Sequence, residues 1–363
     1  MNDETARADA DLASAQPSSQ PPKPVEPPLP SLDNCAAALS AQGNSGVNAI
    51  GELPGTLETA CPELAAILQS SAVKTSLETY TRQDAEAVRQ QGELMREANL
   101  ANVCLLAAGV TSGVILAFAA LTSASGDLTG AITLVLGFLT LALGAGAAYF
   151  GYIARDQGRI ARWQASRGEA EMARLAIFTT MAAKAAEASP KTALYGLAVV
   201  LRDLLNDQRD WLGARALRHR KSSEATSRWG GLASALAFIG GSGAIIASQL
   251  KGAVWIVLAG VVGAAIGAFS TNRDALLRDR ANADRYERTR VALDGLAART
   301  DDVAGRIAAG EPKALPAFTE TIADLLATEH KQWLEGTAQA EASLAKLDGQ
   351  LQRLGKGKTG GGS

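Results

Sequence analysis

Four stretches of this chain hold no charged side chain for 21 to 29 residues each, and they come as two close pairs. Ala98–Gly126 and Leu128–Ala154 are parted only by Asp127, and Trp229–Leu250 and Gly252–Asn272 only by Lys251. A helix rising about 1.5 Å per residue needs roughly 20 apolar residues to cross a hydrocarbon layer of about 30 Å. Soluble helices average about 10–14 residues and usually keep one wet face. The pattern predicts an all-α membrane protein with two transmembrane hairpins, four spans in all, each hairpin followed by helices outside the bilayer.

Flanking charge gives the hairpins a direction. Arg82, Arg89 and Arg96 precede the first span, and Arg155, Arg159, Arg162 and Arg167 follow the second. Arg215, Arg218, Arg220, Lys221 and Arg228 precede the third, and Arg273, Arg278, Arg280 and Arg285 follow the fourth. Lys and Arg are retained on the cytoplasmic side. Both termini and the long middle segment are therefore expected in the cytoplasm, with only two short turns across the membrane.

Elsewhere the chain divides into a proline-rich tail over 1–34, a partly helical segment over 35–97, one unit over 98–221, a second over 222–354, and a flexible end over 355–363. The tail is too polar to bury a core and is expected to be disordered, either as a Pro-x-x-Pro ligand or as a plain solvated arm. With 35 basic and 37 acidic residues the chain has no charge excess that would suit nucleic acid. Cys35, Cys61 and Cys104 have no paired spacing and read as reduced thiols.

The chain also repeats itself. Arg155, Arg162, Arg167 and Glu169 after the first hairpin recur as Arg273, Arg280, Arg285 and Glu287 after the second, each shifted by 118. Farther on, Pro190, Asp207 and Trp211 recur as Pro312, Glu329 and Trp333, each shifted by 122. This reads as a tandem duplication of one unit: hairpin, Arg/Glu helix, proline break, closing helix ending in acid-x-x-x-Trp. Helices are expected over 155–188, 192–221, 273–308 and 318–354. Ser189-Pro190 makes the first break, and Phe318, Ile322, Leu325, Leu326, Trp333 and Leu334 share one broad face of the last helix. Each Trp is expected to anchor its closing helix on the Arg/Glu helix of its own unit, with the acid near Arg162 or Arg280.

Each unit resembles the SLATT superfamily, two-span proteins found beside bacterial nucleotide-signalling defence genes. The resemblance runs over about residues 80–337 and rests on Trp211–Ala216, Asn272-Arg273, the Arg/Glu helices, and Phe318 to Glu329 with Trp333. It implies a bacterial inner-membrane effector that oligomerises and forms a pore or disrupts the membrane when its cytoplasmic helices meet a signal or partner. Two units in one chain depart from that family's single one. The alternative is a membrane-anchored scaffold that recruits cytoplasmic proteins.

Little points to catalysis, a cofactor or a metal. His219 reads as one more juxtamembrane base and His330 as a helix-surface residue, and no Cys/His cluster has ligand spacing. Gly144-Ala145-Gly146 and Gly240-Gly241-Ser242-Gly243 follow no strand and carry no Lys-Ser/Thr, so they read as packing glycines rather than phosphate loops. Small residues form ladders along the spans: Gly109/Gly113, Gly144/Ala148, Ala233/Ala237/Gly241 and Ala259/Gly263/Gly267. Lipid gives helices no hydrophobic reason to associate, so such ladders supply close contact, within a hairpin, between copies or around a pore. No Asp, Glu, Lys, Arg or His lies inside a span, which disfavours a proton- or ion-coupled carrier.

Overall fold

The structure is a computed structural model that describes residues 28–39, 45–52, 55–121, 127–154, 156–247 and 254–356. Readings that fall on residues 1–27, Arg155, Lys251 and 357–363, and the packing of Gly241, lie outside the described residues and side chains. Within them the chain is all-helical, with no strand.

Four short helices come first: α1 (Leu32–Leu39), α2 (Val47–Gly51), α3 (Gly55–Ala60) and α4 (Pro62–Leu68). Next is α5 (Ser71–Leu121), one unbroken helix of 51 residues that runs straight through the expected boundary at 97/98. At about 1.5 Å per residue it is roughly 76 Å long. Its first half carries intrahelical pairs, Arg89 with Glu86 at 2.6 Å and with Glu93 at 2.8 Å, and its second half is apolar. Then α6 (Asp127–Ala154) returns antiparallel along it. Both α5 and α6 are long and apolar enough to cross a membrane, and none of the most apolar stretch of α6 is buried.

After α6, Asp156 caps α7 (Gln157–Ala188) by accepting a bond from Gly158 N–H at 3.0 Å. Back along α5 runs a ladder of polar contacts: Arg159 to Glu97 at 2.6 Å, Arg167 to Asp84 at 2.7 Å, and Gln83 to Glu169 at 2.5 Å. Ser189 is extended and ends α7, as the sequence implied. It then caps α8 (Pro190–Val199), its hydroxyl accepting from Thr192 N–H at 3.1 Å, with Pro190 where no N–H is needed.

A seven-residue π-helical segment, Val200–Asn206, leads from α8 into α9 (Asp207–Ala247). Thus α9 is both the closing helix of the first unit and the leading helix of the second, and it crosses the expected boundary at 221/222. α10 (Val254–Leu277) returns along it. Trp255–Thr271 is its apolar core, shorter than the apolar stretches of α5 and α6.

The expected helix over 273–308 is broken twice. α10 runs on to Leu277, Arg278 turns left-handed at φ 46°, and α11 (Asp279–Ala297) begins. A second turn at Ala298-Arg299 separates it from α12 (Thr300–Ala308). The change of repeat offset from 118 to 122 gives the reason for the second turn. Four extra residues lie between Glu287 and Pro312, about 6 Å of helix that α7 lacks, and the turn at Ala298-Arg299 falls in that interval, whereas Arg278 precedes it. α13 (Ala314–Lys356) closes the chain.

Away from the apolar halves lies one core, built from α1–α4, the start of α5, the end of α7, α8, the π segment, α12 and the start of α13. Phe178, Met181, Leu197, Leu204, Ile307 and Ile322 sit in it. Phe318, Ile322 and Leu326 are buried, and Leu325 packs at the edge, on the face the sequence marked. The two hairpins meet side by side, α5 against α10, so the apolar helices stand in the order α6, α5, α10, α9.

Candidate functional site: a charged layer where the two units cross

Between this head and the apolar helices lies a layer of aromatic and charged side chains from α5, α7, α9, α11 and α13. Its geometry corrects the expectation that each closing helix docks on its own unit. Trp211, closing the first unit, meets Tyr286 on α11 of the second unit, edge to face at 5.7 Å. Trp333, closing the second, meets Trp163 on α7 of the first, edge to face at 5.1 Å. The exchange is reciprocal. It follows from antiparallel packing: α13 runs back along α7, and α9 is continuous with the hairpin that α11 must line.

The acids also sit apart from where they were expected. Glu329 accepts a bond from Arg285 Nε at 2.9 Å, and Arg280 is exposed. Asp207 faces Gly46 and Gln208, and Arg162 is exposed. Arg167 bonds Asp84, and Glu169 accepts from Gln83, so these repeat residues hold α7 to α5. In the second unit Glu287 pairs with Arg290 on its own helix at 2.8 Å, and Arg273 is half-buried at the end of α10.

Two charged side chains at the centre, Arg174 and Arg285, are each only 7% exposed. Arg174 pairs with Glu171, which is equally buried, and Arg285 lies over Tyr286 at 4.9 Å. Arg174 Nε, Arg285 Nη2 and His330 Nε2 are buried and make no hydrogen bond. A buried donor without a partner costs on the order of 1–3 kcal/mol, more for a charged group. Burial pushes the Glu329 carboxyl up despite Arg285, and pushes His330 down. The layer therefore holds its charges under load.

Both histidines differ from their expected roles. His330 is half-buried, stacked on Trp333 at 5.6 Å and close to Gly168. His219 Nδ1 lies 2.6 Å from Asp279, which is buried and also accepts from the Ser222 hydroxyl at 2.5 Å. Serine, histidine and aspartate thus converge, but both partners bond the carboxylate, and no hydrogen bond joins the hydroxyl to the ring. A nucleophile needs its base within reach, and here the carboxylate stands where the base would. No group of three metal-ligating side chains occurs among the described residues.

Two further anchors escaped sequence reading. Asp203, on the π segment, is 1% exposed, held by Arg202 at 2.7 Å and by Gly46 N–H at 3.1 Å. Arg202 also bonds the Leu39 carbonyl, tying α1 and α2 to the helical core. Burial raises the Asp203 carboxyl against these favourable contacts. An acid inside a continuous helical run, 157 positions from its backbone partner, leaves no local signal.

The small-residue ladders divide by role. Gly263 is buried: a Cβ there would lie 2.6 Å from Ala237 N and 2.8 Å from Ala233 O, which closes α9 on α10. A Cβ on Gly240 would collide with the Gly260 backbone in the same interface, Gly267 approaches Ala233 more loosely, and Ala259 is half-buried. Gly109 and Gly113 work between hairpins, receiving Ala265 and Val261 of α10. Gly144 and Ala148 are exposed, with no atom within 4 Å of the Gly144 position.

No family model matches the chain, and neither a curated protein nor a solved structure is similar to it.

Proposed function

We propose that the chain is a four-span inner-membrane protein with both ends in the cytoplasm, whose hairpins assemble into a pore or a membrane-disrupting body when the cytoplasmic head is triggered. One observation carries the reading: α5 and α9 each run unbroken from the charged layer into an apolar half. A helix that is stiff along its length passes a shift at one end to the other. Exposed Leu134, Val135, Phe138, Leu141 and Tyr152 on α6, and Trp229, Phe238 and Ile239 on α9, support burial of these halves in lipid. Trp229 and Tyr152 lie near the charged ends, at the level where aromatic belts form. The resemblance to SLATT proteins favours an effector, with a signal that arrives at the head from another chain.

The test is the membrane potential of expressing cells, read with a voltage-sensitive dye, together with dye release from liposomes holding the purified protein. Collapse of the potential with size-limited release supports a pore. Full insertion with an unchanged potential, under every trigger tried, sinks it and leaves the anchoring scaffold.

A further inference from the structure

The apolar helices stand as an open row, α6–α5–α10–α9, instead of a closed four-helix bundle. Each inner helix has a neighbour on both sides, while α6 rests mainly on α5, and the apolar half of α9 on α10. The row has two unlike edges.

The repeat says what an edge can hold. Within the chain, the leading helix of unit one, α5, packs on the returning helix of unit two, α10. There Gly113 receives Val261 and Leu258 at 3.0 and 3.2 Å, and Gly109 receives Ala265 at 2.6 Å, measured from where a Cβ would stand. The repeat-related partner of this contact is α9 on α6, leading helix of unit two on returning helix of unit one. These two helices stand at opposite ends of the row and cannot meet within one chain.

Their exposed faces match. On α6 glycine recurs every seven residues, at Gly130, Gly137, Gly144 and Gly151; the first three are exposed with no atom within 4 Å, and Gly151 is half-buried at the edge of this face, with Ala101 Cβ of α5 at 4.0 Å. On α9 the exposed large side chains include Leu232 and Ile239, also seven apart, at 47% and 52% exposure. Gly151 lies three residues in from the charged end of its helix at Ala154, and Leu232 three in from Trp229. Gly144 and Ile239 each lie ten in. Two antiparallel helices anchored at one surface would thus set each side chain opposite a gap at equal depth. A seven-residue spacing on both suits a left-handed crossing, in which each side chain enters a hole on the facing helix.

We infer that α6 of one copy packs against α9 of the next, with Ile239 and Leu232 seated over Gly144 and Gly151, so that copies join head to tail through the same pairing of leading on returning helix as α5 on α10, with the glycines now on the returning helix and the large side chains on the leading one. The inference rests on the membrane reading above and names the surface through which the proposed assembly forms. Because the two faces differ, the contact does not end at a dimer: it closes into a ring or continues.

Two chains with different tags, one Gly144→Cys and one Ile239→Cys, both carrying Cys104→Ala, are co-expressed, and their membranes oxidised with copper phenanthroline. Two thiols lose two protons and two electrons to the oxidant and form one disulfide. The expected product is a mixed-tag dimer, and a chain carrying both cysteines should give a ladder beyond the dimer. Gly113→Cys with Val261→Cys is the control for the chemistry, since their Cβ positions lie 3.3 Å apart, close to disulfide spacing. Same-tag dimers only, a double-cysteine chain that stops at the dimer, or no cross-link while the control closes, each overturns the inference. Leakage without the cross-link leaves the pore reading standing and removes this interface. A ladder without leakage does the reverse.

Discussion

Gly263→Ala adds a single methyl group where α10 closes on the backbone of α9. The new carbon would stand 2.6 Å from Ala237 N, 2.7 Å from Leu236 Cβ and 2.8 Å from Ala233 O. Ordinary van der Waals contact begins at 3.4 Å, so α9 must retreat by about 0.8 Å (3.4 less 2.6). Two of the three obstacles are backbone and cannot swing aside. A gap of about 0.5–1 Å forfeits a quarter to a half of each dispersion contact, and overpacking of this kind costs about 1–3 kcal/mol. Thermal unfolding in detergent, followed by tryptophan fluorescence, should show Tm lowered by roughly 2–8 °C. Gly92→Ala, on an exposed face of α5, is the matched control: with nothing within 4 Å it should be neutral or stabilising by up to about 1 kcal/mol, through helix propensity alone. Equal Tm values for Gly263→Ala and Gly92→Ala would refute the reasoning.

Three other outcomes are expected. In a double-mutant cycle, Trp163→Ala and Trp333→Ala should couple by about 0.5–1.5 kcal/mol, and so should Trp211→Ala with Tyr286→Ala; zero coupling across the units denies the exchange. Cys35 and Cys61 are buried at 0% and 2% exposure and Cys35 is pushed up to about 11, so neither should react with a thiol reagent at pH 8 until the chain unfolds. His330 is lowered from 6.5 in the folded protein, so the unfolded chain takes the proton first, and stability falls as pH drops below about 6.5 through the folded value. His330→Gln should flatten that part of the pH profile; an unchanged slope assigns it to other groups.

What was legible in the sequence was whatever local physics writes locally. Charge-free runs marked the apolar helices, Ser189-Pro190 marked a helix end, and Phe318 with Ile322 and Leu326 marked a buried face. The growth of the repeat offset from 118 to 122 marked four extra residues in the second unit, but the helix expected over 273–308 carried no sign of its turns at Arg278 and Ala298-Arg299. The crossing of the units was not legible either. Trp333 lies 170 residues from Trp163 in sequence, and nothing near either tryptophan distinguishes one Arg/Glu helix from the other. The same holds for His219 and Asp279, brought together by the antiparallel return of α11 along α9. The buried arginines escaped for a different reason. Arg174 and Arg285 share their composition with solvated neighbours such as Arg162 and Arg280, and only the third dimension separates them.

The reciprocal exchange of closing helices bears on concentration. A chain with one hairpin unit could satisfy its closing tryptophan in this way only by finding a second molecule, and its head would come apart on dilution. Two units on one polypeptide, joined through α9, make that encounter intramolecular, at an effective concentration set by the linking helix. The head should therefore melt at the same temperature over a wide range of protein concentration.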